Sequence, residues 1–459
     1  MTNTISLSSK AITKLTTPQL LKGGLYLTWG ASFLVLIATI SGVQSARHAI
    51  KTVGKDSAPS IISAQRIKDS LADMDANAAN EFLVPSGQNP EAVKSYEERR
   101  QKVNRMMLDA AKNITYDEED KIILTLQVKL GEYLTKIQQV RDFHARNDKN
   151  GVLVHYREAA DLIDNTLLPA ADKLNEVNWK ALDRTYGDEQ FASARSLFLV
   201  VISSFLLISI LVAIQLFLSN RMRRTLNPML LAATAIAILF LGYTTRAFLS
   251  ASNNLKVAKE DGLQSIQDLR KARSIAYSAN GDESRYLLDT ALAAKHEQAY
   301  SKKVSQLATF AQGQDFQTVA TSFAQSQVKE VNGFTGYLAD ELKNITFDGE
   351  REAAVDTLSN FGQYYAIDQQ IRQLQRSGKY AEAIALCVGN KPGQSNWAFA
   401  QFLQANQNTI DINQKAFDEA VDQGFKDVDG FEVVTLVVAV AIALLTLFGL
   451  LPRIKEYSA

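Results

Sequence analysis

Catalysis and metal binding need reactive side chains in sets, and this chain of 459 residues holds only four His and one Cys. His144 falls on an apolar helix face and His155 just past the next break, with no set of further ligands at the spacing a zinc site needs. Both read as core or rim histidines. His48, near the first apolar block, and His296 have no partner at ligand spacing. Cys387, in a Leu-Cys-Val setting, reads as a small buried residue rather than a redox or lipid-bearing thiol, and a single Cys rules out an intramolecular disulfide. No phosphate loop, dinucleotide fingerprint, nucleophile elbow or paired-His zinc motif occurs. The expectation is no enzyme, no cofactor and no metal site, with the ligand-binding residues unknown.

The strongest repeated motif is Asn113-Ile114-Thr115, which returns as Asn344-Ile345-Thr346 and formally matches an N-glycosylation acceptor. A helix start accounts for it better, because neighbouring residues recur too. In that reading Asp117 and Asp348 cap the following helices, with Thr115 and Glu118 as a capping box and Tyr116 or Phe347 as a staple.

Forty-nine basic residues balance forty-nine acidic ones, so nothing points to nucleic acid. The apolar residues gather in four uncharged or nearly uncharged blocks, Gly24–Val43, Leu197–Leu218, Met229–Leu249 and Val433–Leu451, each close to the ~20 residues that cross a bilayer as a helix. Arg246, late in the third block, reads as snorkelling from a helix end. Lys10, Lys14 and Lys22 precede the first block, Arg221, Arg223 and Arg224 fill the short link between the second and third, and Arg453 and Lys455 follow the fourth. Cytoplasmic loops carry such an excess, so the expected order is a cytoplasmic segment 1–23, a span 24–43, an extracytoplasmic domain 44–196, a span 197–218, a cytoplasmic link 219–228, a span 229–249, an extracytoplasmic domain 250–432, a span 433–451 and a cytoplasmic tail 452–459. A cleavable leader fits the first block poorly, since it has full span length and a weak cleavage flank. The localisation expected is the inner membrane. The spans hold no carboxylate or His, which argues against a proton or ion path.

The two large loops resemble each other. Asp109–Asp117 recurs at Asp340–Asp348 with six of nine residues identical, and the same offset of 231 sets Gly131 on Gly362, Tyr133 on Tyr364 and Arg141 on Arg372. Glu176–Asp183 matches Asp411–Asp418 after four more residues, and nearer the spans an offset of 204 sets Phe82-Leu83 on Tyr286-Leu287. The growing offset places the second domain's extra residues between Leu287 and Asp340, and Cys387–Gly393 reads as a loop. Ile123, Leu126, Leu130, Tyr133, Ile137, Val140 and His144 line one helix face, whereas Asp368 stands where Ile137 stands. Turn signals divide the first loop into four helices, roughly 44–84, 91–112, 117–146 and 152–196. The fold class expected is all-α: four transmembrane helices, two tandem extracytoplasmic four-helix-bundle-like domains, and an internal duplication.

A short cytoplasmic segment, a span, an outer helical bundle and a returning span resemble the ligand-binding half of bacterial chemoreceptors and sensor kinases. The Ala-rich, polar run Ile67–Leu83 resembles the first bundle helix of such sensors. The likeness covers 24–218 and, through the duplication, 229–451, and it carries over no ligand residue. It implies a sensor that binds a small ligand or a protein and relays its state to a separate partner, since only a short link follows the second span. The rival reading is a structural or assembly subunit of a membrane complex, with a transporter or channel component behind it. Expected partners are the lipid bilayer and a protein in the membrane or cytoplasm, with homo-oligomerisation left open and no nucleic acid.

Overall fold

A computed structural model describes residues 16–114, 118–222, 226–325 and 328–456. Lys10, Lys14, Arg223, Arg224 and the Thr115–Asp117 part of the motif above lie outside them. The fold is all-α. Among the described residues there is no strand, only a single bridge between Thr309 and Thr335.

The helices are α1 Thr17–Lys51, α2 Ala58–Phe82, α3 Pro90–Lys112, α4 Glu119–Ala145, α5 Lys149–Leu162, α6 Leu168–Met222, α7 Pro228–Lys256, α8 Gln264–Leu288, α9 Ala293–Leu307, α10 Phe316–Gln325, α11 Tyr337–Lys343, α12 Glu350–Arg376, α13 Tyr380–Cys387, α14 Ser395–Asp427 and α15 Phe431–Glu456. Short π-helical turns, Thr52–Ser57, Ile163–Leu167 and Val257–Leu263, join α1 to α2, α5 to α6 and α7 to α8 without ending the helical run. Local chemistry sets several starts. Asn89 caps α3 by accepting from the Ala92 amide at 3.2 Å, with Pro90 at the first turn, and Asp148 caps α5 through the Gly151 amide at 2.9 Å.

Among the described residues four helical runs are long and apolar enough to cross a membrane, Thr17–Phe82, Lys149–Arg221, Pro228–Leu288 and Ser395–Glu456. The chain divides into two compact units, one from the described parts of Met1–Thr52, Thr185–Leu255 and Ala420–Ala459, the other from Val53–Arg184 and Lys256–Glu419.

The first unit holds the apolar stretches. Leu21, Val35, Leu207, Leu211, Leu230, Phe240, Ile442 and Leu450 form its core, and α1 packs along α15. Phe33, Phe198, Phe205, Leu239, Val437 and Phe448 are exposed, an outward apolar surface of the kind lipid covers. Several polar groups inside it are bonded within the unit: the Thr28, Thr244, Thr435 and Thr446 hydroxyls each donate to the carbonyl four residues back, and Trp29 Nε1 donates to the Ala443 carbonyl. Arg47 pairs with Glu432 and donates to the Val428 carbonyl, tying α1 to the start of α15.

In the second unit the two loop segments expected as tandem bundles share one core. Ile67, Leu71, Phe82, Tyr133, Ile137 and Tyr156 from one segment join Leu287, Tyr300, Phe361, Tyr364 and Phe402 from the other. Packing between α2 and α8 is extensive, and each of these also packs on the next helix of its own segment, α3 or α9. The seam of α4 from Ile123 to Val140 is buried. In the second segment α9 stops at Leu307, a loop and α10 follow, and α11 resumes at Tyr337, so the additional residues form a separate elbow. Phe316 at the start of α10 lies so close to α12 that a Cβ on Gly362 would meet it at 2.6 Å, whereas Gly131, at the corresponding place on α4, faces open space.

Candidate functional site

A helix enclosed on every side must pair its polar groups inside the protein or leave them costly. Both α2, from Ile67 onward, and α8 come close to this: Asp69, Asp73, Asp75 and Asn80 on α2, and Arg270, Asp282, Glu283, Ser284 and Arg285 on α8, are all buried. Near the crossing, Ser284 donates to Asn80 Oδ1 at 2.7 Å.

One flank of this seam is closed by Arg285. Its guanidinium meets Asp75, Asp164 at 2.7 Å and Asp282 at 3.1 Å, with Tyr156 at 3.3 Å, and Lys303 reaches the other oxygen of Asp282. Burial opposes the charge on Arg285, yet the surrounding carboxylates win and hold the cation well above the usual arginine range. Beyond it, Arg157 forks onto Asp289 with two bonds of 2.7 Å, and His296 sits 3.9 Å from the same carboxylate.

A second polar group surrounds Glu283. Burial, then the nearby Asp368, pushes its carboxyl up to about 8, and it accepts from Ser395 at 2.6 Å with the Cys387 thiol at 3.6 Å. Arg372 forks onto Asp368 at 2.8 Å and lies between the rings of Tyr286 and Tyr300, 4.6 and 4.5 Å from their centroids. In the first segment Arg141 lies 4.6 Å over Tyr96 and pairs with Glu81 at 2.9 Å and Glu97 at 3.0 Å.

The opposite flank is an open cleft of about 270 Å³ lined by Arg66, Asp69 and Ser70 of α2, Arg99 and Lys102 of α3, Arg270, Arg273 and Tyr277 of α8, and Gln407 of α14. Arg99 pairs with Asp73, and Arg273 is held by the Leu403 carbonyl and Gln407 Oε1, each at 3.2 Å. Arg270, 5% exposed, has one ion-pair partner among the described residues, Asp69 at 3.7 Å, with Asp411 a more distant counter-charge, and its Nε has no acceptor. Arg66 and Lys102 have no ion-pair partner among the described residues. Five cations therefore face two carboxylates. Burial dominates the protonation of the lining groups: it pushes Asp69 up to about 6 against the pull of Arg270, Arg273, Lys68 and Arg99, and pushes Arg270 down to about 10, with Arg66 and Arg273 adding to the fall. Lys102 is lowered by desolvation and then by Arg99, Arg66 and Arg273.

The residues singled out in the sequence lie elsewhere. His144 is half-buried, bonded to the Val84 carbonyl at 2.9 Å and edge-on to Phe82, while His155 stacks on Phe143 beside Glu158. His48 lies 3.6 Å from Glu189. Among the described residues no group of three or more metal-ligating side chains converges. Cys387 is buried at the end of α13 against Glu283 and Ser284. The repeated asparagines are tethers: Asn113 Nδ2 donates to Ser60 Oγ at 3.0 Å, and Asn344 Nδ2 to Ser265 Oγ at 2.8 Å. The expected Asp348 cap is not formed. Gly349, with φ of 80°, stands at the N-cap of α12, and the carboxylate of Glu350, the first residue of the helix, turns back to accept from the Thr346 and Phe347 amides of the preceding loop at 2.7 and 2.9 Å. Glu118, φ 81°, occupies the matching place before α4 with no side-chain cap bond.

The cleft residues were not singled out in the sequence. The available signal was a polar, Ala-rich helix with charges on every face, a pattern that an exposed helix shares.

Comparison with known proteins places residues 49–187 in a match to the family model described as an actinobacterial sensor domain. No curated protein matches the chain, and no solved structure does.

Proposed function

We propose that this is a membrane sensor whose second unit is an extracytoplasmic input domain and whose apolar helices relay its state to a separate signalling protein. The observation that carries the reading is the sensor-domain match over residues 49–187, which begins at the end of α1, covers α2 to α5 and runs into α6. Continuous helical runs such as Thr17–Phe82 and Pro228–Leu288 support a mechanical relay, because a shift or tilt of α2 against α8 travels along an unbroken helix. We place the termini and the link between α6 and α7 in the cytoplasm on the basic residues there. We further read the chain as a duplication. Supporting this are the paired tethers of Asn113 and Asn344, the Arg–Tyr stacks of Arg141 on Tyr96 and Arg372 on Tyr300, and the shared left-handed backbone at Glu118 and Gly349.

Crosslinking mass spectrometry on the tagged protein, isolated from its own membranes in mild detergent, tests the relay. Crosslinks from the α6–α7 link or the spans to a kinase, cyclase or other signalling protein are expected. Recovery instead of a stoichiometric structural complex contacting the second unit would make the protein an assembly subunit.

A further inference from the structure

We propose that the cleft between α2, α3, α8 and α14 binds a small multivalent oxyanion: phosphate, sulfate or a di- or tricarboxylate. The proposal deepens the sensor reading and rests on it for the idea that the second unit receives a ligand.

Charge count comes first. Arg66, Arg99, Lys102, Arg270 and Arg273 line one concavity in which Asp69 and Asp73 supply the nearest negative charge, and Asp73 is already engaged by Arg99. Asp411, the next acid along α14, is bonded to the Gln407 amide at 2.7 Å and does not line the cleft. Even with Asp411 counted, positive charge is in excess by two, and such an excess on helices held together by packing is unfavourable unless something negative enters.

The second observation is Arg270. A guanidinium carries five N–H donors in a fixed fork suited to oxyanions, and here a buried one leaves its Nε with no acceptor and its one ion-paired carboxylate at 3.7 Å. A side chain folded away from water would not ordinarily leave a donor unused. Arg273 reaches the cleft already oriented by Gln407 and Leu403, Ser70 adds a hydroxyl, and Arg66 and Lys102, exposed at the rim, are free to close over a bound anion. The volume suits a phosphate or a small polycarboxylate. Polymeric anions fit the geometry less well, because the least satisfied arginine lies at the buried end and not on the rim.

Recognition of this kind is by charge-assisted hydrogen bonds, so a monovalent anion such as chloride would hold it weakly. The same chemistry is offered by free phosphate and by a phosphomonoester lipid headgroup.

The test is calorimetric titration of the full chain in neutral detergent with sodium phosphate, sulfate and citrate, ionic strength held constant with chloride. At least one of the three anions should bind saturably at one site per chain. Arg66→Gln and Lys102→Gln, which remove rim charges without partners, should each weaken it several-fold and together on the order of 10-fold or more, without moving the unfolding temperature of the anion-free protein. Arg270→Gln should weaken it by at least as much. No saturable binding at millimolar concentrations of any of the three overturns the proposal, as does binding that none of these variants weakens. Repeating the phosphate titration in nanodiscs with and without phosphatidic acid separates the sources. Heat unchanged by the lipid identifies the free anion, and heat suppressed by the lipid in the parent chain alone identifies the headgroup. Crosslinking to a signalling partner without anion binding would leave the sensor reading standing and sink only the ligand; binding without such a partner would do the reverse.

Discussion

Arg99 on α3 and Lys303 on α9 stand 204 positions apart, and each reaches an aspartate on a central helix, Asp73 and Asp282 respectively. Around Lys303 the seam is filled: Arg285 lies among Asp75, Asp164 and Asp282, so three carboxylates meet two cations with short, directed bonds. Around Arg99 the seam is open, and the balance runs the other way, with the buried Arg270 in one ion pair only, to Asp69 at 3.7 Å. The same pair of helices thus holds buried charge in two manners. Where partners are complete, the charge fixes the packing of the two segments on each other. Where they are incomplete, affinity is left over for something outside the chain.

Removing each arginine should break this contrast most visibly. Arg285→Met strands buried carboxylates and is expected to cost about 3–5 kcal/mol of unfolding free energy, while Arg270→Met, without multivalent anion, should cost only about 1 kcal/mol, because Asp69 can take up a proton. Denaturant unfolding followed by circular dichroism measures both. Equal losses would mean that the cleft is a structural ion network like its counterpart.

A pH series sharpens the same point. Asp69 is raised from 3.8 to about 6 in the fold, chiefly by burial, so the folded state binds its proton more tightly than the unfolded state does. Its ionised form therefore destabilises the fold above pH 6, by something on the order of 2–3 kcal/mol at neutral pH, and this penalty disappears as pH falls toward 4. Asp69→Asn should be the more stable protein at pH 7 and match the parent near pH 4 in thermal unfolding. A parent that is instead more stable than Asp69→Asn at pH 7 would show that Arg270, Arg273, Lys68 and Arg99 together outweigh desolvation, and that the cleft is already balanced.

A smaller effect separates the outer helices of the two segments. Gly362→Ala drives a methyl into Phe316 and should cost about 1–3 kcal/mol. Gly131→Ala, exposed in mid-helix, should gain roughly 0.5–1 kcal/mol through helix propensity. Same-sign shifts in melting temperature would show that α10 does not hold the close contact on α12.

Much of the architecture could be read from local pattern. Blocks such as Leu197–Leu218 announce themselves by composition, and the Ile123 to Val140 seam by its alternating steps of three and four, because both signals are contained in one helix. The burial of α2 and α8 is different. Residues 67–83 carry acids and amides on all sides, and a periodicity argument assigns such a helix to solvent unless the groups that satisfy it are known. Two of those groups, Arg270 and Arg285, lie some two hundred residues away from Asp69 and Asp75. Nothing local to Asp69 or Arg270 distinguishes a buried charge awaiting a ligand from an ordinary surface charge, so the cleft was not visible until the helices were placed side by side. The Asp348 cap failed for a related reason: Asp and the Glu two residues on are both reasonable partners for free amides, and only backbone geometry chooses Glu350.

The contact between Asn80 and Ser284 spans 204 positions, and this has a bearing on how the protein is made. When α2 leaves the ribosome, the helix that will cover it has not been translated, and its aspartates have no arginines to meet. Closing so long a loop adds only a modest, logarithmic entropy to the equilibrium, but contacts between such distant residues form late. The first segment thus waits, incompletely packed, for the second, and it is in this interval that the chain is most open to proteolysis and to pairing with another copy of itself. Expression of either segment alone should yield an aggregation-prone product, and α8 acts for the first segment as a folding partner supplied from within the same chain.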